Sequence, residues 1–382
     1  MATMAINKIS LRLVVFLSLY LAASFLIVAL EPTPALVDHR MGMIPLSNFE
    51  GYRPFQYRVL MPLLIRGIEA ITPAFIKDSI TALAAPKIMA NMERRDIASN
   101  KINIITKYVF RSVLYICLQI LMIFFFLIAL RLLANALKIF PKHLTDFVPL
   151  GIVLVMPVFY DSAVFIFDFP HLAIFTFGLY LLGRERWGWY MIIFALGLLN
   201  KETTVFLAIV FALVFLNRLE KGRFWRLLAW QAVIFMVIKL SLYLVFKESP
   251  GGTVEWHLPD NIKHLATLSN YFRFSPIGRG MLLPFYINIP VPHGLNLPMF
   301  AVIIASVCYG WAGKPMFLKR ALGYLVVVIP IALAMALAWE LRSYNDLLPT
   351  IYLLGTAGIY KFVIRIKGNK PGTEYGSENI QF

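Results

Sequence analysis

The stretch Val59 to Phe75, VLMPLLIRGIEAITPAF, decides the fold. If it crossed a membrane, every loop after it would change sides. It is apolar enough to cross, but Arg66 and Glu69 lie inside it, Arg58 precedes it, and Pro62 and Pro73 interrupt it. Without it, ten apolar runs remain: 11–30, 112–135, 147–160, 169–183, 187–200, 204–217, 226–246, 297–312, 321–339 and 347–364. A span needs roughly 20 apolar residues, fewer where neighbours shield its ends. Cytoplasmic loops carry an excess of Lys and Arg. With Lys8 and Arg12 inside, the alternate ends carry Lys138 and Lys142; Arg184 and Arg186; Arg218, Lys221, Arg223 and Arg226; Lys314, Lys319 and Arg320; and Lys361, Arg365, Lys367 and Lys370. The intervening short loops carry only Lys201 and Arg342. An eleventh span at 59–75 would put the basic loops outside. We therefore read 57–75 as a helix lying along the outer face or dipping into the bundle, and 76–111 as the rest of a long outer loop, where the charge rule is weak.

The expected fold is all-α: a polytopic transmembrane helical bundle of about ten spans. Both termini are cytoplasmic, and amphipathic helices lie on the outer face in the first long loop, 31–111. Composition agrees. Of 382 residues 60% are hydrophobic and 15% charged, against about 25% charged in a soluble domain. The net charge of +16 raises nucleic acid as a partner, but the basic residues sit between apolar runs rather than in a patch with interleaved aromatics. Membrane orientation accounts for them, and no nucleic acid is expected. Cys117 and Cys308 both lie in apolar runs, which argues against a disulfide framework or a cysteine metal site. The run from Leu11 to Leu30 has the length of a span and no small-residue cleavage site after it, so it is not read as a cleavable signal peptide. No internal repeat or low-complexity linker divides the chain. Residues 1–370 read as one domain and 371–382 as a disordered tail.

In this orientation the outer face holds Asp38, Glu50, Asp161, Asp168, Glu202, Asp260, Glu340 and Asp346. Ionisable residues embedded near spans usually face an interior cavity, because a charge at the bilayer centre costs about 2.5–3.5 kcal/mol. Four outer turns bring such residues to one membrane level: the first loop, Tyr160 to His171, Asn200 to Thr203, and Glu340 to Asp346. We expect a cavity there, open to the outer face and lined by carboxylates and cations. Each turn also has a plainer reading. The first loop, with Asp38, His39, Arg40, Glu50, Arg53 and Arg58, serves equally as a solvated cap on the bundle. Asp168-Phe169-Pro170 fits a helix N-terminus with an Asp cap and Pro in the first turn. Lys201-Glu202 fits an exposed turn, where ion pairs contribute little. Glu340 and Arg342 fit snorkelling at the interface. His171 reads as a helix-end hydrogen-bonding group rather than a metal ligand, and Asp161 as interfacial polarity. Lys239, inside the seventh run, snorkels outward toward the cavity. Glu185 and Glu220 are solvated partners of inner cations, and Trp187, Trp189, Trp225, Trp230 and Trp339 form an interfacial belt.

Taken together, these pieces resemble the GT-C superfamily of integral-membrane glycosyltransferases, which use polyprenyl-phosphate-linked sugars. Such proteins place an acid in the first outer loop, ahead of amphipathic helices; Asp38, before Gly51-Tyr52 and Tyr57-Arg58-Val59-Leu60-Met61-Pro62, matches that position. Asp168-Phe169-Pro170 is similar to their acid before a proline in the second outer turn. Asn200-Lys201-Glu202-Thr203 is similar to a turn found in many bacterial relatives. Glu340-Leu341-Arg342 followed by Asp346-Leu347-Leu348-Pro349 is similar to their late acidic-Arg stretch. The resemblance covers most of the chain through short, degenerate motifs. Many members pair Asp-Asp or Asp-Glu in the first loop, where this chain has Asp38-His39, so Glu50 stands as the alternative to Asp38.

The resemblance implies sugar transfer from a polyprenyl-phosphate donor to a hydroxyl of a glycan, lipid or protein acceptor, with inversion. It also implies a bacterial inner membrane with the site facing the periplasm. A carboxylate within about 2.6–3.2 Å takes the acceptor proton, a role given to Asp38. The anomeric centre becomes oxocarbenium-like, and preorganised cations favour the departing phosphate. Arg58, Lys201 and Arg342 are candidates for that, Arg being suited to bidentate contact. Asp168 and Glu202 orient hydroxyls, or hold a divalent cation, Mg or Mn, where one is used; His171 and Glu340 complete the substrate-binding set. Three other classes share some of these features: a polymerase or ligase of lipid-linked glycans, a transporter or flippase of a lipid-linked or polar solute, and a non-catalytic envelope scaffold. Paired repeats with broken helices, a pointer to transporters, are absent from the sequence. No P-loop, zinc-protease helix or serine-hydrolase elbow occurs in it either.

Overall fold

The computed structural model describes residues 2–30, 36–93, 99–160, 164–277 and 289–368. Asp161 and the tail 371–382 lie outside the described residues. Helices dominate, and five are long and apolar enough to cross a membrane: Leu11–Leu30, Val109–Ala136, Lys221–Val245, Met316–Met335 and Leu341–Ile366. Shorter apolar helices, Trp187–Asn200, Glu202–Phe215 and Leu297–Cys308, lie among them. The all-α expectation misses one feature, a two-stranded antiparallel ribbon pairing Phe274–Ile277 with Ile289–Pro292.

Polar contacts define two ends of the bundle. At one, Arg12 near the start of the helix Ala2–Leu30 and Arg131 near the end of Val109–Ala136 share the buried carboxylate of Asp146. The two helices therefore run antiparallel. At the other end, Arg111, in the first turn of Val109–Ala136, binds Glu69 at 2.7 Å and Asn48 Oδ1 at 2.6 Å. Two turns into the same helix, Gln119 donates to the Ile166 carbonyl, which brings the start of the helix Asp168–Gly183 to this end.

The same contacts place the Val59–Phe75 stretch relative to the bundle. The helix there spans Leu60–Ile71, about 18 Å at 1.5 Å per residue. Val59, just before it, packs with Leu199 and Leu242, while Glu69 near its end meets Arg111. Both ends lie at one end of the bundle, so the helix runs across it. Met61, Pro62 and Ile65 face inward, and Leu63, Leu64 and Ile71 remain exposed. Two further helices, Ala74–Glu93 and Ser99–Lys107, follow before Val109.

Residues 147–160 are not one helix. Pro149 and Pro157 remove amide donors, and the segment forms a 3-10 stretch, Val148–Leu154, followed by the short helix Met156–Phe159. The tighter winding rises about 2.0 Å per residue, so few residues cover much of the bundle's depth. The largest core cluster among the described residues surrounds Phe126, Phe169, Phe175, Phe211 and Tyr324, and a second one gathers Met43, Met61, Ile65, Val109, Phe165 and Phe167. Of the tryptophans expected in an aromatic belt, Trp189, Trp225 and Trp230 are largely exposed. Trp187 instead packs edge-on against Phe211 and Phe215, and Trp339 stacks on His264.

Candidate active site at one end of the bundle

Three turns meet at the Arg111 end. Asp168 opens its helix, but it does not cap it as expected: no side-chain cap bond is made, and Oδ2 turns back to accept the Phe165 amide at 3.0 Å. Capping asks a side chain to reach forward to the amides two or three residues on; here the carboxylate pins the preceding segment. Asn200, ending the helix Trp187–Asn200, donates to the Phe167 carbonyl at 2.9 Å. Gly197 allows this closeness, since a Cβ there would collide with Thr204. Lys201 then leaves in extended conformation and turns its ammonium inward. Leu341–Leu347, the 3-10 turn before Leu348–Ile366, supplies Arg342, Asn345 and Asp346.

Asp168, with a side chain 1% exposed, lies between two cations: Lys201 Nζ is 3.7 Å from Oδ1 and Arg342 is 3.6 Å from Oδ2. Both distances exceed a direct hydrogen bond. Asp168 Oδ1 and Arg342 Nε are buried without a hydrogen-bond partner. Such groups are rare in folded proteins, since leaving one unmade costs about 1–3 kcal/mol. Arg342 also donates to Glu340 at 2.6 Å. Lys201 donates to Asn345 Oδ1 at 3.4 Å, and Asn345 Nδ2 reaches the Asp168 carbonyl and the Tyr160 hydroxyl. Burial pushes the Lys201 ammonium below the ordinary lysine range, while Asp168 and Asp346 hold it up.

Beneath lies a second carboxylate pair. His171 Nε2 meets Asp346 Oδ1 with both side chains sealed from solvent. Thr203 Oγ1 lies 3.2 Å from the same nitrogen and donates to Asp346 at 3.4 Å; Thr204 Oγ1 lies 3.4 Å from Nδ1. This cluster ties the 201–204 turn to two helix starts, which agrees with the helix-end role expected of His171.

Arg58 joins from the first loop. It binds Glu202 at 2.5 Å and stacks 4.0 Å from the Phe167 ring centroid and 4.9 Å from that of Phe55. Lys239, on Lys221–Val245, lies beside this pair, 5.9 Å from the Tyr57 ring, and its charge acts on Glu202 and Arg58. Lys201-Glu202 is therefore no exposed turn: Lys201 is buried, and Glu202 keeps a third of its side chain open.

Asp38 and Glu50 are not drawn in. Asp38 Oδ1 accepts the amides of Arg40 and Met41 at 2.9 and 3.0 Å, closing its own turn. Glu50 is exposed, with Asn48 Nδ2 3.4 Å away. No hydrogen bond or ion pair links either to Asp168, Lys201, Glu202 or Arg342 among the described residues. One aromatic ring bridges the gap: Phe55 carries Arg58 on one contact and Arg40, two residues past Asp38, at 5.8 Å on another. Arg40 also pairs with Glu255, clasping the first loop to the segment before Leu258–Ala266. Tyr160, Asn345, Asp346 and the two threonines were not singled out as site residues. Only their nearness to the Asp-Phe-Pro, Lys-Glu and Glu-Leu-Arg turns could have flagged them.

Among the described residues no three His, Cys, Asp or Glu side chains converge as metal ligands. Asp168 and Glu202 are each engaged by separate cations, so no step below runs through a metal. A scan against protein-family models and searches of curated proteins and of solved structures return no match. The functional reading therefore rests on the short motifs and on this geometry.

Proposed function

We propose that the chain is a membrane glycosyltransferase of GT-C type, transferring a sugar from a polyprenyl-phosphate donor to an acceptor hydroxyl at the outer face. The observation that carries the reading is Asp168: a buried carboxylate with an unpartnered oxygen, held just beyond hydrogen-bond reach of two cations contributed by distant turns. Such a set of incompletely paired donors and acceptors suits the hydroxyl groups of a sugar or acceptor. A ten-pass arrangement, with both termini in the cytoplasm of a bacterial cell and the site toward the periplasm, is part of the proposal. Its support is that Lys142, Arg184, Arg218 and Arg320 fall at alternate turns from the site.

In the mechanism, Asp38 takes the acceptor proton. One of its oxygens is committed to its turn and the other has no hydrogen bond among the described residues; it is half-buried, whereas Glu50 is exposed, which favours Asp38 over Glu50. Desolvation strengthens each electrostatic contact to charge developing at the departing phosphate. The Asn345 amide holds Lys201, and the Glu340 carboxylate with the Phe165 ring holds Arg342, so both cations are preorganised around Asp168. The test is transfer by the full chain in proteoliposomes supplied with polyprenyl-phosphate sugars and candidate acceptors. Asp38→Asn should lower transfer by about 10²–10⁴, the worth of a positioned base, with unchanged thermal stability. A folded Asp38→Asn protein of full activity would remove the base, and transport of the intact donor without transfer would favour the flippase reading.

A further inference from the structure

Two charged groups make up the site, and a pair of rings separates them. Phe165 and Phe167 flank Ile166 in the turn that leads into the helix Asp168–Gly183. Their rings stack with centroids 5.7 Å apart and planes 8° from parallel. Arg342 sits 4.2 Å from the Phe165 centroid and Arg58 4.0 Å from that of Phe167. Both rings are buried, at 4% and 1% exposure, so the stack works as a fixed spacer between the two guanidinium groups.

The two sides of the spacer differ in charge balance. On the Phe165 side, Lys201 and Arg342 face Asp168 and Glu340, and Asp346 also acts on Lys201, so the carboxylates at least match the cations. On the Phe167 side, Arg58 and Lys239 face Glu202 alone. Lys239 forms no ion pair or hydrogen bond of its own among the described residues. The surroundings differ too. Lys221–Val245 buries only Phe224, Gln231 and Leu242 and exposes Met236, Val237, Leu240 and Leu244. The neighbouring helix Leu60–Ile71 exposes Leu63 and Leu64. The surplus positive charge thus lies at a seam between two peripheral, lipid-compatible helices, and the balanced group lies inside.

We propose that Arg58 and Lys239 form a binding site for a phosphate monoester entering from the lipid side, while Asp168, Lys201 and Arg342 take uncharged hydroxyl groups. This rests on the transferase reading, and it moves the anion away from Lys201 and Arg342, where the sequence put it. A net cationic pair attracts an anion that a balanced quartet does not. The quartet instead offers donors and acceptors together, as a polyol requires.

The test measures binding of polyprenyl monophosphate and of the matching polyprenol to the purified full chain. Lys239→Met should weaken the phosphate by about tenfold or more, the scale of one charge-assisted contact. Lys239→Arg should restore it, and Asp168→Asn should leave it within about twofold. Lys239→Gln serves as a second neutral variant should Lys239→Met not fold. Inorganic phosphate that competes with the lipid places the anion's source in water, and failure to compete places it in the membrane; the site stands in both cases while Lys239 matters. An unchanged Kd in both neutral variants, an equal loss in Asp168→Asn, or polyprenol binding as tightly as its phosphate would overturn the proposal. Lys239-dependent binding with no sugar transfer to any acceptor would leave the anion site standing and remove the transferase reading alone.

Discussion

Among single residues, Asp346 ranks with Asp168 although it contacts no solvent. Its partner His171 is sealed beneath the Lys201 turn, so Asp346→Ala removes the shorter contact of a buried ring nitrogen and leaves it only the Thr203 hydroxyl at 3.2 Å. The expected cost is roughly 1–3 kcal/mol, read as a lower thermal midpoint in detergent. Asp168→Asn keeps the shape while removing the charge between Lys201 and Arg342, and should abolish transfer with little change in that midpoint. At this scale the sequence was half legible. The acids and cations of three turns announced themselves by lying at the ends of apolar runs. Nothing local distinguished Asp38, whose carboxylate folds back on its own amides, from Asp168, whose carboxylate pins another segment. Both are an Asp near a turn, and long-range packing separates them. Nor could spacing reveal that Arg58 would find Glu202, 144 positions away.

Elements are held by close approach as much as by polar ties. The helix Leu297–Cys308 crosses Leu348–Ile366 at Gly358, where an added Cβ would run into the Ser306 carbonyl. Backbone cannot move aside as a side chain can, so Gly358→Ala should cost about 1–3 kcal/mol, the usual penalty of overpacking. Gly67, in the helix across the bundle end, has nothing within 4 Å of its would-be Cβ. Gly67→Ala should stabilise the protein by about 0.5–1 kcal/mol through helix propensity. Paired thermal denaturation of the two variants checks both signs. The same helix crossing contains Lys314, whose ammonium donates to the Ser306, Val307 and Leu354 carbonyls. Burial, helped by the Lys361 charge, pushes it down to about 8. The folded state therefore releases this proton before the unfolded chain does, and its contribution to stability rises with pH from about 8 toward the ordinary lysine value near 10.4. A thermal midpoint that climbs between pH 7.5 and 9.5 in the wild type, and climbs less in Lys314→Met, is the expected record.

For the molecule as a whole, the sidedness proposed from basic loops makes a labelling prediction. In a Cys117→Ala, Cys308→Ala background, single cysteines at Glu50 and Asn103 should react with an impermeant maleimide from the same side of sealed vesicles. Cysteines at Glu185 and Glu248 should react from opposite sides. Labelling of Glu50 and Asn103 from opposite faces would mean that the Val59–Phe75 segment crosses after all. That stretch stood out in the sequence because its charges and prolines conflict with its hydropathy. The broken 147–160 segment was readable only as apolar, since hydropathy does not report winding.

The lengths of the site-bearing helices carry one more consequence. Asp168–Gly183 and Trp187–Asn200 have 16 and 14 residues, about 24 and 21 Å of rise, against a hydrocarbon layer about 30 Å thick. Val109–Ala136, with 28 residues, exceeds that thickness. Short staves inside long ones make a well, with the Asp168 cluster sunk below the rim. Under the transferase proposal, a soluble acceptor would reach down into that well, while a lipid-borne donor would arrive at its own depth through the wall.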